Sequence, residues 1–161
     1  MKKLLKVLAT GLPLAVGLAV TGPAAAEQVK VGVAAEPYPP FTVPDASGKW
    51  SGWEIDFADA VCAEAKLDCV ITPVSWDGII PALNTKKIDM IVTSMSITAE
   101  REKTIDFTDH YYKVPTLVIG LKETQFEATP EGLNDKILGV QASTIHQAYA
   151  KKHFEPAGAT I

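Results

Sequence analysis

The chain has 161 residues, of which 47% are apolar and 21% charged, with 11 glycines, 11 prolines and two cysteines. This is the composition of ordinary globular domains, and it excludes a disordered chain, a collagen, a coiled coil and a disulfide-dense miniprotein. The net charge is −4, and it becomes −7 when Lys2, Lys3 and Lys6 are set aside with the N-terminal segment. Such an acidic surface repels nucleic acid and anionic lipid, so we exclude both as partners.

The N-terminal segment, Met1 to Ala26, predicts a cleaved export signal. Lys2 and Lys3 give a positive start, positions 7–20 form an apolar run interrupted by two glycines and a proline, and positions 24–26 are small alanines. We expect cleavage after Ala26 and a periplasmic, oxidising location for the mature chain. A membrane anchor is the alternative, disfavoured because the run is shorter than the roughly 20 residues needed to span a bilayer.

Hydrophobic periodicity predicts strands and helices that alternate along the first part of the mature chain. A proline-rich loop over 36–41 ends the first strand. The predicted elements, in order, are a strand over 29–33, a helix over 54–66, a strand over 69–74, a helix capped by Asp77 that runs to about 85, and a strand over 89–94. The last strand is almost wholly apolar, which indicates a sheet covered on both faces and an α/β fold.

The pattern weakens beyond the third strand, where a second unit begins. The predicted elements are a short helix over 99–103 with Thr98 as its N-cap, an extended segment over 112–121 that contains Pro115, a strand over 137–141, and a helix capped by Ser143 that runs to about 152. One strand and one helix are too few to close a hydrophobic core, so we expect the chain to stop within this unit.

Cys62 and Cys69 are the only cysteines in the chain. Six residues separate them, which does not fit a C-x-x-C redox motif, and the three histidines lie too far away to complete a zinc site. A local disulfide is favoured in an oxidising compartment, and two buried free thiols are the alternative. We expect neither a metal nor a cofactor.

Five short motifs follow one another in order along the chain. They are EPYPPF over 36–41, GWEIDF over 52–57, GIIPAL over 78–83, SITAER over 96–101 and IDFT over 105–108. Their order and spacing resemble the family 3 periplasmic solute-binding proteins, the polar amino acid receptors of ABC importers, over nearly all of residues 28–150. The cysteine spacing is similar to the disulfide of the basic amino acid and histidine receptors. Trp53 departs from the family, in which Phe or Tyr is more usual at this position.

The resemblance implies a periplasmic binding protein-like fold of two α/β lobes, which close like a flytrap on a ligand between them. Residues 27–114 would form lobe I, and residues 115–161 the hinge crossing and the start of lobe II. Family chains are longer and return to lobe I, so we expect a truncated receptor without the acidic residue that usually holds the ligand ammonium. The implied function is capture of a free basic or polar L-amino acid by a monomer, which delivers it to an inner-membrane ABC permease without catalysis.

The resemblance also assigns residues to the backbone groups of an amino acid ligand. Arg101 would offer a bidentate, charge-assisted fork to the α-carboxylate. Ser96 would donate to the same carboxylate, and the Ser94 carbonyl would accept from the ammonium. Thr144, with Ser143, would present the N-terminus of the second unit's helix to the anion. Without the resemblance, these residues read as a solvated arginine, turn-forming serines and a helix cap.

Three further residues would contact the ligand side chain. Tyr38 and Trp76 follow strand ends, where ligands collect in open α/β sheets, and by family position they would wall the side chain. Core packing is the alternative for both aromatic rings. Glu36 would select lysine, arginine, ornithine or histidine if it faces the pocket, and it has no role in binding if it faces water.

Two other classes of function remain open. Dehydratases of the cyclohexadienyl or arogenate type share this scaffold, but no pair of acidic or histidine side chains stands out for general acid catalysis. An exported remnant that cannot bind a ligand is the other alternative. Two assays would separate the three classes. Binding of free amino acids would indicate a receptor, turnover of prephenate or arogenate would indicate a dehydratase, and no signal in either assay would indicate a remnant.

Overall fold

The computed structural model describes residues 28–161, so the predicted export signal and its cleavage after Ala26 lie outside the described residues. The strands are β1 (Val29–Ala34), β2 (Val43–Pro44), β3 (Trp50–Ser51), β4 (Cys69–Val74) and β5 (Met90–Ile91). The α-helices are α1 (Trp53–Ala65), α2 (Ile79–Asn84) and α3 (Ile145–His153). Short 3-10 turns cover Trp76–Gly78, Arg101–Lys103 and Glu155–Ala157. In this part of the chain, no helix combines the length and apolarity needed to cross a membrane.

A parallel three-stranded sheet with the order β4-β1-β5 forms the centre of the first unit. Strand β1 pairs along its whole length with β4, from Val29 opposite Cys69 to Ala34 opposite Val74, and more briefly with β5. The short antiparallel hairpin β2-β3 lies outside this sheet. The sheet therefore confirms the α/β pattern predicted from the alternating apolar runs.

The two helices of this unit cover opposite faces of the sheet. One buried cluster joins α1 to the sheet through Val31, Ile71 and Met90, and a second joins α2 to it through Val74 and Ile91. Because neighbouring residues of a strand point to opposite faces, Met90 and Ile91 show that the two helices lie on different sides. Burial of β1 from both sides explains why its last four residues are all buried.

The disulfide predicted between Cys62 and Cys69 is confirmed. It joins the last part of α1 to the first residue of β4, with an S–S distance of 2.07 Å, and the chain contains no free cysteine. Cys62 is also a buried member of the cluster beneath α1. The bridge thus fixes the helix-to-strand connection directly against the core.

The strand predicted over 89–94 is longer than the ladder that the structure forms. Only Met90 and Ile91 pair as a strand, although the Val92 N–H still donates to the Gly32 carbonyl at 2.9 Å. The Thr93 hydroxyl then accepts from the Ala34 N–H at 3.0 Å, and a side chain thereby replaces the next backbone partner. Pairing ends there because the following residue, Ser94, takes a left-handed conformation with φ 52°.

Asp77 does not cap the second helix, which corrects the prediction. The chain enters α2 through the 3-10 turn Trp76–Gly78, and the Ile79 N–H donates to the Trp76 carbonyl. This turn supplies backbone acceptors at the helix entry, so no side-chain cap forms. The helix predicted over 99–103 is reduced to the 3-10 turn Arg101–Lys103, whose N-cap is Glu100 and not Thr98, although the Thr98 hydroxyl accepts from the Arg101 N–H at 3.2 Å.

The second unit is less regular than predicted. The strand expected over 137–141 is reduced to one parallel bridge between Ile137 and Thr160, and the segment over 112–121 forms no ladder with the rest of the described chain. The cap of α3 is Thr144, not Ser143, because Ser143 has a positive φ of 58° and Thr144 is the residue whose hydroxyl accepts from the Gln147 N–H.

The second unit, which was expected to be too small to close a hydrophobic core, buries a small apolar cluster. The buried members of this cluster are Leu133, Ala150, Phe154 and Ala159. Four apolar side chains of the same unit remain 75–87% exposed, namely Leu117, Ile119, Leu121 and Ile137. The unit is thus packed around α3 and open on another side.

Candidate functional site

The residues predicted to bind a ligand lie on loops that leave one edge of the sheet. Glu36 follows β1, Trp76 follows β4, and Ser94 and Ser96 follow β5. Because the three strands are parallel, their carboxyl ends meet at this edge, which is where open α/β sheets bind ligands. The topology therefore gathers side chains that lie far apart in the sequence.

Arg101 is the centre of this group. Its Nη1 donates to the Ser96 carbonyl at 2.8 Å, and its Nη2 donates to the Ser143 carbonyl at 3.2 Å. The guanidinium carbon lies 5.5 Å from the ring centroid of Trp76, within the range of a cation–π contact. Burial lowers the pKa of Arg101 from its usual value, but a guanidinium remains charged at physiological pH.

The Ser143 carbonyl joins the two units at this point. It accepts from the Trp76 indole N–H at 3.3 Å as well as from Arg101. Ser143 thus meets the sheet edge through its backbone oxygen, while its own N–H donates to the Gln147 side chain at 3.0 Å. The left-handed conformation of Ser143 turns the chain immediately before α3.

Glu36 is exposed and rests against the backbone of Trp76. Its two carboxylate oxygens lie 3.3 and 3.4 Å from the Trp76 nitrogen, and they accept its N–H. Glu36, Trp76 and Arg101 thus form a row at the sheet edge, in which Glu36 contacts the Trp76 backbone and Arg101 contacts the Trp76 indole. Of the predicted residues, the structure brings Glu36, Trp76, Ser96, Arg101 and Ser143 into direct contact with one another or with a shared partner.

Tyr38 and Thr144 have contacts of their own. The Tyr38 ring stacks on Phe41 with centroids 5.2 Å apart and remains about half exposed. The Thr144 hydroxyl donates to the Gln141 carbonyl at 2.7 Å and accepts from the Gln147 N–H at 3.2 Å. The capping role that the sequence allowed for Thr144 is thus present.

A buried polar network behind the site was not predicted from the sequence. Glu54, in the first turn of α1, is fully buried, and its Oε1 accepts from the Ser94 and Tyr111 hydroxyls, each at 2.7 Å. The Tyr111 hydroxyl accepts from the Ser94 N–H at 2.8 Å, and the Tyr112 hydroxyl donates to the Ser94 Oγ. The Ser94 and Tyr111 hydroxyls donate directly to the Glu54 carboxylate. The Tyr112 hydroxyl and the Ser94 N–H are connected to it through those two hydroxyls.

An aromatic cluster encloses this network. Its rings are in stacked, tilted or edge contact at centroid distances of 4.9–6.3 Å, and its members are Tyr38, Phe41, Trp53, Phe57, Tyr111 and Tyr112. Such contacts stabilise beyond simple area burial. The cluster connects Tyr38 at the sheet edge to the hydroxyls around Ser94.

The network raises the pKa of Tyr111 well above its usual value, first because the phenol is buried and second because it donates to Glu54. A phenol whose pKa is raised in the folded state stabilises that state below its unfolded pKa of about 10 and loses this contribution as pH rises further. We therefore expect the free energy of unfolding to fall steeply above pH 10, and Tyr111→Phe to flatten that fall.

Chemical denaturation at pH 8 to 11.5 measures this effect. Tyr149→Phe is the matched control, since Tyr149 is 55% exposed on α3 and lies outside the network. If the free energy of unfolding fell with equal slope above pH 10 in wild type and in Tyr111→Phe, the pKa effect assigned to Tyr111 would be contradicted.

The described residues contain no group of three or more His, Cys, Asp or Glu side chains placed to hold a metal ion. The site instead presents a cation, an indole, an exposed carboxylate and several carbonyls. A few polar groups that converge beside an aromatic ring are typical of a small-molecule site. The fold and this edge define the class of α/β ligand-binding proteins.

The sequence profile of the bacterial extracellular solute-binding proteins, family 3, matches residues 29–155, and the chain belongs to that family. It is 35% identical over 138 residues to the L-arginine-binding protein of Pseudomonas aeruginosa, an alignment that covers 86% of this chain and 53% of that protein. It is 34% identical over 162 residues to the histidine-binding periplasmic protein of Escherichia coli K12, which covers 100% of this chain and 61% of that protein.

Solved structures agree with this assignment. The chain superposes with a TM-score of 0.74 and 36% identity on the ancestral amino acid-binding protein AncCDT-1, a precursor of cyclohexadienyl dehydratase, covering 83% of this chain and 59% of that one. An ancestral arginine-binding protein bound to arginine gives a TM-score of 0.70 and 33% identity, with coverage of 83% and 58%. The predicted periplasmic binding protein-like fold is confirmed, and the chain spans about half to three fifths of its relatives' length.

Proposed function

We propose that this chain binds a free basic amino acid in the periplasm and delivers it, chemically unchanged, to an inner-membrane ABC permease. The observation that carries the proposal is the half-buried Arg101 at the carboxyl edge of the sheet, held between carbonyls of both units. The names of the relatives support the ligand class, because they include binding proteins for arginine, for histidine, and for lysine, arginine and ornithine.

The carboxylate of the ligand would lie against the guanidinium of Arg101. A carboxylate accepts two parallel N–H bonds from a guanidinium, which fixes both its position and its orientation. Ser96 and Thr144 would add donors from the two sides, and the N-terminus of α3 would add the positive end of its dipole. The exchange of the Ser143 carbonyl for a charged carboxylate strengthens the bond to Arg101.

The side chain of the ligand would lie along the row of Trp76 and Glu36, with Tyr38 as the opposite wall. A cationic side chain can stack on the indole and pair with the carboxylate, whereas an acidic one would meet Glu36 as a like charge. A polar neutral side chain remains the alternative ligand class, and an ancestral arginine-binding protein has been solved bound to glutamine.

The two units would act as lobes, residues 27–114 as the first and residues 115–161 as the hinge crossing and part of the second. Contacts through Ser143 already link the sheet edge to the start of α3. A ligand that touches Arg101 on one side and α3 on the other favours the closed arrangement, because it binds that arrangement better than an open one. We propose that the N-terminal segment directs export and that cleavage after Ala26 releases the mature chain into the periplasm.

Isothermal titration calorimetry of the purified chain tests the proposal. We expect saturable binding of arginine, lysine, ornithine or histidine, weaker binding of glutamine and none of glutamate. Absence of binding to every amino acid would contradict the proposal and favour an exported remnant.

A dehydratase is the second candidate function, since one solved relative is a precursor of cyclohexadienyl dehydratase. The same preparation, incubated with prephenate or arogenate, distinguishes this candidate by the appearance of the aromatic product. Turnover without amino acid binding would favour the enzyme. Binding without turnover would favour the receptor.

A further inference from the structure

We propose that Glu54 is a positioning residue for the ligand ammonium, which acts by holding the Ser94 backbone so that the Ser94 carbonyl faces the site. The inference rests on the proposed function and adds to it a residue that makes no contact with the ligand. It also gives a role to a buried carboxylate that lies outside the row of Arg101, Trp76 and Glu36.

The first observation is that the polar groups of Ser94 are engaged, with one exception. Its hydroxyl donates to Glu54 Oε1 at 2.7 Å and accepts from Tyr112, and its N–H donates to the Tyr111 hydroxyl at 2.8 Å. Within residues 28–161, no hydrogen bond is donated to the Ser94 carbonyl oxygen. The oxygen that would receive the ammonium is therefore the one polar group of Ser94 that the network leaves without a partner.

The second observation is the backbone conformation of Ser94. Its φ of 52° lies in the left-handed region, which residues other than glycine, asparagine and aspartate rarely adopt. Such a conformation persists only where surrounding contacts hold it. Two of the three hydrogen bonds of Ser94 depend on Glu54, one directly through the Ser94 hydroxyl and one through Tyr111, which donates to the same Oε1.

The third observation is that Glu54 itself has a fixed position and a carboxylate oxygen without a hydrogen-bond partner. Its side chain is fully buried, and its N–H donates to the Phe41 carbonyl at 3.1 Å at the start of α1. The second carboxylate oxygen, Oε2, is buried without a hydrogen-bond partner, and the ion pair present in the described chain joins Lys103 to Glu100 instead. A buried carboxylate without a cation is costly, and an ammonium seated on the Ser94 carbonyl would supply positive charge nearby.

A pair of ligands separates this positioning role from a merely structural one. Arginine carries the α-ammonium, and 5-guanidinopentanoate has the same carboxylate and guanidinium without it. Calorimetric titration of wild type with both compounds gives the contribution of the ammonium as a ratio of affinities. In Glu54→Gln, we expect arginine affinity to fall at least tenfold and the affinity for 5-guanidinopentanoate to change less than threefold.

Asp56→Asn is the matched control, because it neutralises an exposed carboxylate in the same first turn of α1. We expect it to leave both affinities unchanged. Tyr111→Phe is the second variant, which keeps Glu54 but removes the bond to the Ser94 N–H, and it should show the same selective loss to a smaller degree. It keeps the inference testable if Glu54→Gln fails to fold, as judged by circular dichroism.

Three outcomes would overturn the inference. Equal losses for both ligands would make Glu54 a structural residue only, and unchanged arginine affinity in the folded variants would leave it without a role. Failure of wild type to bind either ligand would overturn the proposed function, and the inference with it. The first two outcomes leave the proposed function intact, whereas the third overturns it. Failure of the inference alone can therefore be distinguished from failure of the proposed function.

Discussion

Replacement of Arg101 with alanine is expected to lower the affinity for a basic amino acid at least a hundredfold. The cost is about 3 kcal/mol or more, because the ligand carboxylate would be desolvated without its charged partner. Arg101→Lys should recover only part of this loss, since an ammonium keeps the charge but not the planar fork that matches a carboxylate. Calorimetric titration of the three proteins with arginine measures both effects.

Lys103→Ala provides the control for charge at this place in the chain. Lys103 belongs to the same 3-10 turn as Arg101, but it is exposed and pairs with Glu100 on the surface. Its loss should change the affinity less than threefold, because exposed ion pairs contribute little. A fall of less than tenfold in Arg101→Ala would show that the carboxylate binds elsewhere.

Replacement of Gly52 with alanine is expected to destabilise the first unit strongly. Gly52 precedes α1 with φ 122° and ψ 173°, a region that glycine alone adopts readily. An added Cβ would lie 2.3 Å from the Phe41 carbonyl oxygen and 2.7 Å from the Phe41 carbonyl carbon. Strain and overpacking together should lower the free energy of unfolding by about 2–4 kcal/mol.

The clash at Gly52 cannot be relieved by a side-chain rotation, because the loop carbonyls it meets are themselves bonded. The Trp53 and Glu54 N–H groups, which begin α1, donate to the Pro40 and Phe41 carbonyls at 3.1 Å each. Urea unfolding followed by circular dichroism measures the effect, with Gly139→Ala as the control since its Cβ would meet no atom within 4 Å. Equal midpoints for Gly52→Ala and wild type would refute this account.

The fold of the first unit was predictable because its signals are local and periodic. Alternating valines marked β1, the 3.6-residue spacing of apolar residues marked α1, and the observed bounds of Trp53–Ala65 differ by one residue at each end. The ladder of β5 was overestimated, because apolar sequence continues past the point where the Thr93 hydroxyl takes over the bonding. A tertiary side-chain contact of this kind leaves no pattern in the sequence.

The candidate site was predictable only as far as motifs extend. Arg101, Trp76 and Glu36 stood out because they belong to motifs or follow strand ends, and the structure places them in contact. Glu54 did not stand out, because it and Asp56 both look like solvated partners of a helix N-terminus. Only the packing of Tyr111 and Tyr112 against α1 decides which of the two carboxylates is buried.

The Ser143 carbonyl gives the site an internal competitor. Arg101 and Trp76 both donate to this one oxygen, so an incoming carboxylate gains only the difference between its own bonds and those that it displaces. This oxygen belongs to the residue that precedes the cap of α3, so its displacement by the proposed ligand would free the second unit to readjust. Under the proposed function, some tightness of binding would thereby be exchanged for easier release, which a carrier that passes its ligand to a transporter would require.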